Sequence, residues 1–280
     1  MAPPSVTELD SAATEDAAHT NKEDNRCSHT PPATAILPNN ENILSSPPDE
    51  LHKQISKGVL RAKLSKRRHL VIPRAISPTY LEGLMPPIVA DLFEPQTVTY
   101  NGGVANVPQW KISCYLEVME GGIPCTNPHV GLQRHCSRLL EVCNTLFAKW
   151  YRQQHACNDV ATAKYKTDSN GNPIVSRLMT FMTRYTPAPD ENALLKHVDG
   201  AGKVDGSVVL ALPIDKWTDS EENNTFEGGG LTFWDGRREE IKYDTRSGDL
   251  AFIDRAVWHQ ANPITRGTRW ALVIFYKVER

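Results

Sequence analysis

Two histidines, an aspartate and an arginine in the last third of this 280-residue chain have the types and spacing of a reactive metal site. His197 and Asp199 flank one valine. On an extended strand residues i and i+2 share a face, so both side chains address one point. His259 follows the apolar run 250–253 and offers a third donor from a distant strand. Two imidazoles and a carboxylate form a facial set that suits Fe(II) and leaves neighbouring positions open for a co-substrate and oxygen. Arg269, further on, stays charged when buried and forks onto a carboxylate. A dicarboxylate such as 2-oxoglutarate would chelate the metal through its keto-acid end and rest its far carboxylate on Arg269. Thr268 and Tyr185 are candidate hydroxyl partners, although Tyr185 reads equally as a packed strand residue. Arg266, Arg255, Arg237 and Arg238 are rival cations, and Arg266 falls in the turn between Pro263 and Gly267. No catalytic residue beyond the metal site stands out.

A His-x-Asp pair alone is weak evidence, so the elements around it matter. From Ser176 onward the sequence consists of short β-like runs: 177–185, 207–212, 231–234, 249–254 and 269–278. Turn residues separate them, including Asp199-Gly200, Gly228-Gly229-Gly230 and Ser247-Gly248. Ahead of this half, Leu132, Cys136, Leu139, Leu140, Cys143, Phe147 and Trp150 form an apolar stripe that predicts a helix over 131–155, packed against a sheet. Leu70 to Pro73 reads as a strand entering the folded domain. Within 51–70, Ile55, Val59, Leu60 and Leu64 recur at helical spacing among Lys and Arg, which reads as a docking helix with a solvated basic face or, on the short run Lys66-Arg67-Arg68, as a nuclear-import or nucleic-acid patch. The fold class expected is α+β, mainly β: a sandwich or jelly roll with N-terminal support helices on one face. Residues 1–50, rich in Pro, Ser, Thr and acidic side chains, are expected to be a disordered tail. Residues 51–175 would be the basic segment and support region, and 176–280 the core.

Composition narrows the function classes. Lys and Arg total 31 against 33 Asp and Glu, so nucleic acid is not an expected partner. No apolar run reaches the roughly 18 residues of a membrane helix, and the first residues lack the basic start and apolar stretch of a signal peptide. The expectation is a cytoplasmic or nuclear protein. Six cysteines without a Cys-x-x-Cys pair read as buried, idle thiols.

With these residues in place, the chain resembles the Fe(II)- and 2-oxoglutarate-dependent dioxygenases, and within them the prolyl 4-hydroxylase group. The matching pieces are Lys196-His197-Val198-Asp199, Glu227-Gly228-Gly229-Gly230-Leu231, Gly248-Asp249-Leu250-Ala251-Phe252 and Asp254-Arg255 ahead of Trp258-His259. Pro263 and Thr268-Arg269-Trp270-Ala271, with the strand ending Phe275-Tyr276, complete them. The resemblance implies a double-stranded β-helix with iron between its sheets, held by His197, Asp199 and His259, and 2-oxoglutarate bound by Arg269. It implies a hydroxylase that consumes O2, releases succinate and carbon dioxide, and is kept reduced by ascorbate. An arginine at position 269 is similar to the oxygen-sensing prolyl hydroxylases; the collagen-type enzymes use lysine. Two features depart from the group. Ala193-Leu194-Leu195 lacks the tyrosine common before the metal motif, and 215–226 is an acidic, loop-like insertion. The expected substrate is a prolyl residue of a protein or peptide. Two rivals stand beside it: the same chemistry on a small molecule, and a non-catalytic jelly-roll module that binds through the basic segment Lys53 to Arg68.

Overall fold

The computed structural model describes residues 43–93, 99–100, 103–104, 111–120, 123–124, 128–156, 165–187, 195–213, 227–235 and 240–280. In chain order the helices are α1 (Pro48–Leu64), α2 (Pro78–Pro87), which runs into a π-turn at Ile88–Leu92, α3 (Val130–His135) and α4 (Ser137–Gln154). The strands before α3 are β1 (His69–Ile72), β2 (Thr99–Tyr100), β3 (Gly103–Val104), β4 (Lys111–Glu120) and β5 (Ile123–Pro124). After α4 come β6 (Val175–Tyr185), β7 (Gly206–Ala211), β8 (Glu227–Gly228), β9 (Leu231–Trp234) and β10 (Glu240–Tyr243). The last four are β11 (Leu250–Asp254), β12 (Trp258–Ala261), β13 (Ile264–Arg266) and β14 (Arg269–Val278).

Seven strands form the main antiparallel sheet in the order β1-β11-β7-β14-β6-β4-β5, and β10-β9-β12 form a smaller one. β8 and β13 make a two-stranded ribbon. Strands of the expected support region, β1, β4 and β5, thus join the sheet of the C-terminal half. Period-2 alternation gives each main-sheet strand two destinations. On β14, Trp270, Leu272, Ile274, Tyr276 and Val278 face a core shared with α1, α2, α3 and α4. Ala271 and Val273 face the other way, into a second core with Leu231 and Phe233 of β9 and Ala261 of β12. Two sheets around one interior, with helices on the outer face, make the expected jelly roll.

The long helix α4 is held on the sheet by large aromatic contacts. Phe147 of α4 stacks on Tyr276 at 4.1 Å between ring centroids, and Trp150 stacks on Phe252 at 5.4 Å. The helix expected over 131–155 is broken at Cys136 (φ −87°, ψ 0°), whose amide still donates to the Leu132 carbonyl at 3.0 Å. α1 confirms the docking helix, but its buried face is Leu51, Ile55, Val59 and Ala62. Leu60 and Leu64, expected on that stripe, are 61% and 74% exposed because the sheet meets only the narrower face. Of the tail expected to be disordered, 1–42 lies outside the described residues. In the remainder Leu44 bridges to Ile76 and α1 begins at Pro48. Cys114, Cys136 and Cys143 are buried and unpaired, and burial pushes the Cys136 and Cys143 thiols up to about 12. Cys27, Cys125 and Cys157 lie outside the described residues.

Candidate metal centre and co-substrate cavity

The metal-site residues come together, and the i, i+2 placement expected of His197 and Asp199 holds, although outside any named strand. His197 lies in no named strand; it forms an isolated antiparallel bridge with His259 of β12. Asp199 opens a short 3-10 turn, Asp199–Gly202. Gly200 follows at φ +59°, where a Cβ would strike the Val204 side chain. Val198 between them is extended (φ −113°, ψ 148°), so His197 and Asp199 fall on one side as the alternation predicts, and the turn carries the chain away after them.

One donor atom from each of His197, Asp199 and His259 can be chosen so that all lie within 4.8 Å of one another. The Nε2 atoms of His197 and His259 stand 3.5 and 3.6 Å from Oδ1 of Asp199. Each imidazole has its other nitrogen occupied. Nδ1 of His197 lies 2.8 Å from the Leu195 carbonyl, and Nδ1 of His259 lies 3.1 Å from the Val257 carbonyl. A carbonyl only accepts, so both Nδ1 atoms carry hydrogen and both Nε2 lone pairs face the aspartate. Ser207 of β7 donates to Oδ2 of Asp199 at 2.5 Å and leaves Oδ1 for the shared point. This donor set fits a divalent iron.

Charge follows the same arrangement. The Asp199 hydrogen bond raises the His197 pKa against the opposing effect of burial. Burial lowers that of His259. Burial also acts to raise the Asp199 pKa, but His197, His259 and Ser207 outweigh it, so the carboxyl sits below its ordinary value. Asp199 and His259 are buried, whereas the His197 side chain is 39% exposed and marks the open side of the centre.

From these residues a cavity of about 130 Å³ runs between the sheets to Arg269. Its walls are apolar: Phe181, Val209, Leu231, Ala271, Val273 and Phe275. Arg269 is 2% exposed and donates to the Gly230 carbonyl at 3.2 Å. Its Nε is buried without a hydrogen-bond partner, and among the described residues no carboxylate pairs with it. Gly230 holds φ +88°, where a Cβ would run into the Tyr243 carbonyl, so only glycine presents this backbone to Arg269. A buried guanidinium without a counter-charge is costly unless an anion completes it. An incoming carboxylate, such as the far one of 2-oxoglutarate, matches the guanidinium in charge and in fork geometry.

The other candidates divide. Tyr185 pairs in register with Arg269, lines the cavity, and its ring lies 5.7 Å from the guanidinium carbon. Thr268 is half-buried ahead of β14 and is not among the cavity-lining residues. Arg266 is exposed and lies 3.8 Å from Glu227; Arg255 lies 3.8 Å from Asp205. Arg237, Arg238 and the insertion 215–226 lie outside the described residues. Sequence reasoning missed Lys111 of β4, a cavity-lining residue directly opposite Tyr185. The signal was present: Ile112, Cys114 and Leu116 alternate with Lys111, Ser113 and Tyr115, the pattern of a strand.

Comparison with known proteins agrees with this geometry. Residues 180–277 match the family model of the 2OG-Fe(II) oxygenase superfamily, which shows the resemblance over that stretch. Among solved structures, the chain is similar to an oxidoreductase of the 2OG-Fe(II) oxygenase family from Burkholderia pseudomallei, at 12% identity and a TM-score of 0.54. That match covers 80% of this chain and 89% of the other. It is also similar to a structure of prolyl 4-hydroxylases from Phytophthora capsici, at 13% identity and a TM-score of 0.51, covering 88% of this chain and 69% of that one. At these identities the likeness is one of fold. No curated protein matches. Among the described residues no helix is long and apolar enough to cross a membrane.

Proposed function

We propose that this protein is an Fe(II)- and 2-oxoglutarate-dependent dioxygenase that hydroxylates an aliphatic C–H bond, with a peptidyl proline as substrate. One observation carries the reading: two tautomer-fixed histidines and an aspartate meet at one end of a narrow apolar cavity whose other end is an uncompensated buried arginine. When bound, Fe(II) with 2-oxoglutarate and O2 supplies the oxidising chemistry that places one oxygen atom in the C–H bond and releases succinate and carbon dioxide. His197, Asp199 and His259 would hold the metal, and Arg269 would hold the far carboxylate. Ser207 and the Leu195 and Val257 carbonyls orient the ligands. Phe181, Val209, Leu231 and Val273 exclude water from the cavity, and the exposed edge of His197 is the side from which a substrate approaches. Tyr185 closes the wall beside Arg269. The prolyl assignment rests on the motif resemblance, in particular on arginine at position 269.

The test is succinate release from 2-oxoglutarate by purified protein with Fe(II) and ascorbate, with and without proline-rich peptides. Stimulation by peptide, with a single oxygen added to proline, is the expected result. Turnover that peptides do not stimulate would move the substrate to small molecules. No turnover despite metal binding would favour the non-catalytic module.

A further inference from the structure

Lys111, Tyr185 and Arg269 stand side by side on three adjacent strands: Lys111 pairs with Tyr185 across β4 and β6, and Tyr185 pairs with Arg269 across β6 and β14. All three side chains line the cavity. The two cations do not share one position. Arg269 stays beside Gly230 and Tyr185. The Lys111 ammonium reaches along the cavity to lie 5.9 Å from the centroid of the Phe181 ring. Phe181 is four residues before Tyr185 on the same strand, in the direction of the metal-site end.

Lys111 is half-buried, and burial lowers its pKa. Among the described residues no carboxylate pairs with it. An ammonium held in an apolar cavity without a counter-ion is unfavourable, and an incoming anion relieves the cost. The charges lining the cavity decide which anion. Asp199 is its one acidic side chain, against Arg269 and Lys111. A divalent metal brings the site to three positive charges, and 2-oxoglutarate cancels two. One positive charge remains, and it belongs to the cation on the metal side of Arg269.

We propose that Lys111 is a specificity-determining residue that pairs with a carboxylate of the primary substrate and sets its C–H bond against the metal centre. The substrate class is then a carboxylate-bearing one: a proline with a free carboxyl, or one beside an acidic side chain. The inference rests on the dioxygenase reading above and deepens it. A single lysine placed this way acts as a point charge, so it selects for charge more than for shape.

The experiment uses full-length protein loaded with Mn(II) and 2-oxoglutarate without oxygen. It measures binding, by ligand-observed NMR, of N-acetylproline and Pro-Asp against N-acetylprolinamide and Pro-Asn amide. Wild type is expected to favour the acids by about tenfold or more, the scale of one charge-assisted contact. Lys111→Met should bring the ratio close to one while its 2-oxoglutarate Kd stays within about twofold; Lys111→Arg should keep the preference. Far-ultraviolet circular dichroism checks that each variant is folded. Equal binding of acids and amides by wild type would overturn the inference. So would a Met variant that loses 2-oxoglutarate affinity and keeps the acid preference, since Lys111 would then be a co-substrate anchor. Failure of wild type to bind 2-oxoglutarate in the presence of Mn(II) would remove the dioxygenase reading itself.

Discussion

His197 and His259 are paired with each other through the backbone: the amide of each donates to the carbonyl of the other, at 2.9 and 2.8 Å, and their rings are 4.5 Å apart. The two imidazoles are therefore set by one closed pair of hydrogen bonds, not by two independent loops. Asp199, two residues on from His197 across an extended Val198, has only to meet a pair already in place.

Replacing the carboxylate tests this arrangement. Asp199→Ala should abolish Mn(II) binding at micromolar metal while leaving the protein folded. The substitution removes a buried charge, and the histidine pair keeps its backbone bonds. Isothermal titration and a thermal melt measure the two effects. Intact metal affinity would remove Asp199 from the site.

Arg269→Ala should weaken 2-oxoglutarate binding by about a hundredfold or more, because loss of a charge-assisted bidentate partner at an enclosed site costs several kcal/mol. Mn(II) affinity should stay within about threefold. Arg269→Lys should fall between the two. Unchanged 2-oxoglutarate affinity in the alanine variant would place the anchor elsewhere.

His69 gives the fold a pH-dependent component. It is 2% exposed, stacks on Phe233 at 4.2 Å, and burial drops its pKa to about 4. The folded state binds this proton less readily than the unfolded state. The contribution is therefore complete above about 6.5 and is lost as pH falls from there towards about 4. Urea unfolding should show stability falling by roughly 2–3 kcal/mol across that window. His69→Phe should flatten that part of the curve; an unaltered slope would assign it to other groups.

A lower acid limb belongs to Glu117. It accepts from Arg177 at 2.6 and 2.7 Å, from Gln133 at 2.6 Å and from Thr180 at 3.0 Å. Burial acts to raise its pKa, and these four donors outweigh it, leaving the carboxyl below its usual 4.5. Its contribution is present above that value and is lost as pH falls through the lowered one. Glu117→Gln should cost about 1–3 kcal/mol at neutral pH, and the gap from wild type should close in acid.

Much of this was legible in the sequence. Strands 231–234 and 269–278 appear with the bounds read from their apolar runs, which end at a glycine turn or charged residues. The metal residues were legible because so few donor types stand that close to strand ends. Lys111 was not singled out for a physical reason. A lysine alternating with Ile112 and Cys114 has the pattern of a solvent face, and only pairing with a strand about seventy residues away turns that face into a cavity wall. The turn that starts at Asp199 was legible from Asp199-Gly200, and the extended Val198 before it keeps the His-x-Asp pair on one side.

The alternation along β14 separates two kinds of variation in one ribbon of backbone. Leu272→Ala, on the helix side, should cost about 2–5 kcal/mol and leave 2-oxoglutarate affinity unchanged. Ala271→Leu, on the cavity side, should weaken that affinity by about tenfold or more with a smaller loss of stability. For anyone reshaping this site, the odd-numbered positions from 271 to 275 are the adjustable ones and the even-numbered positions are the frame. Their one-residue spacing means that an insertion or deletion within the strand would exchange the two roles throughout.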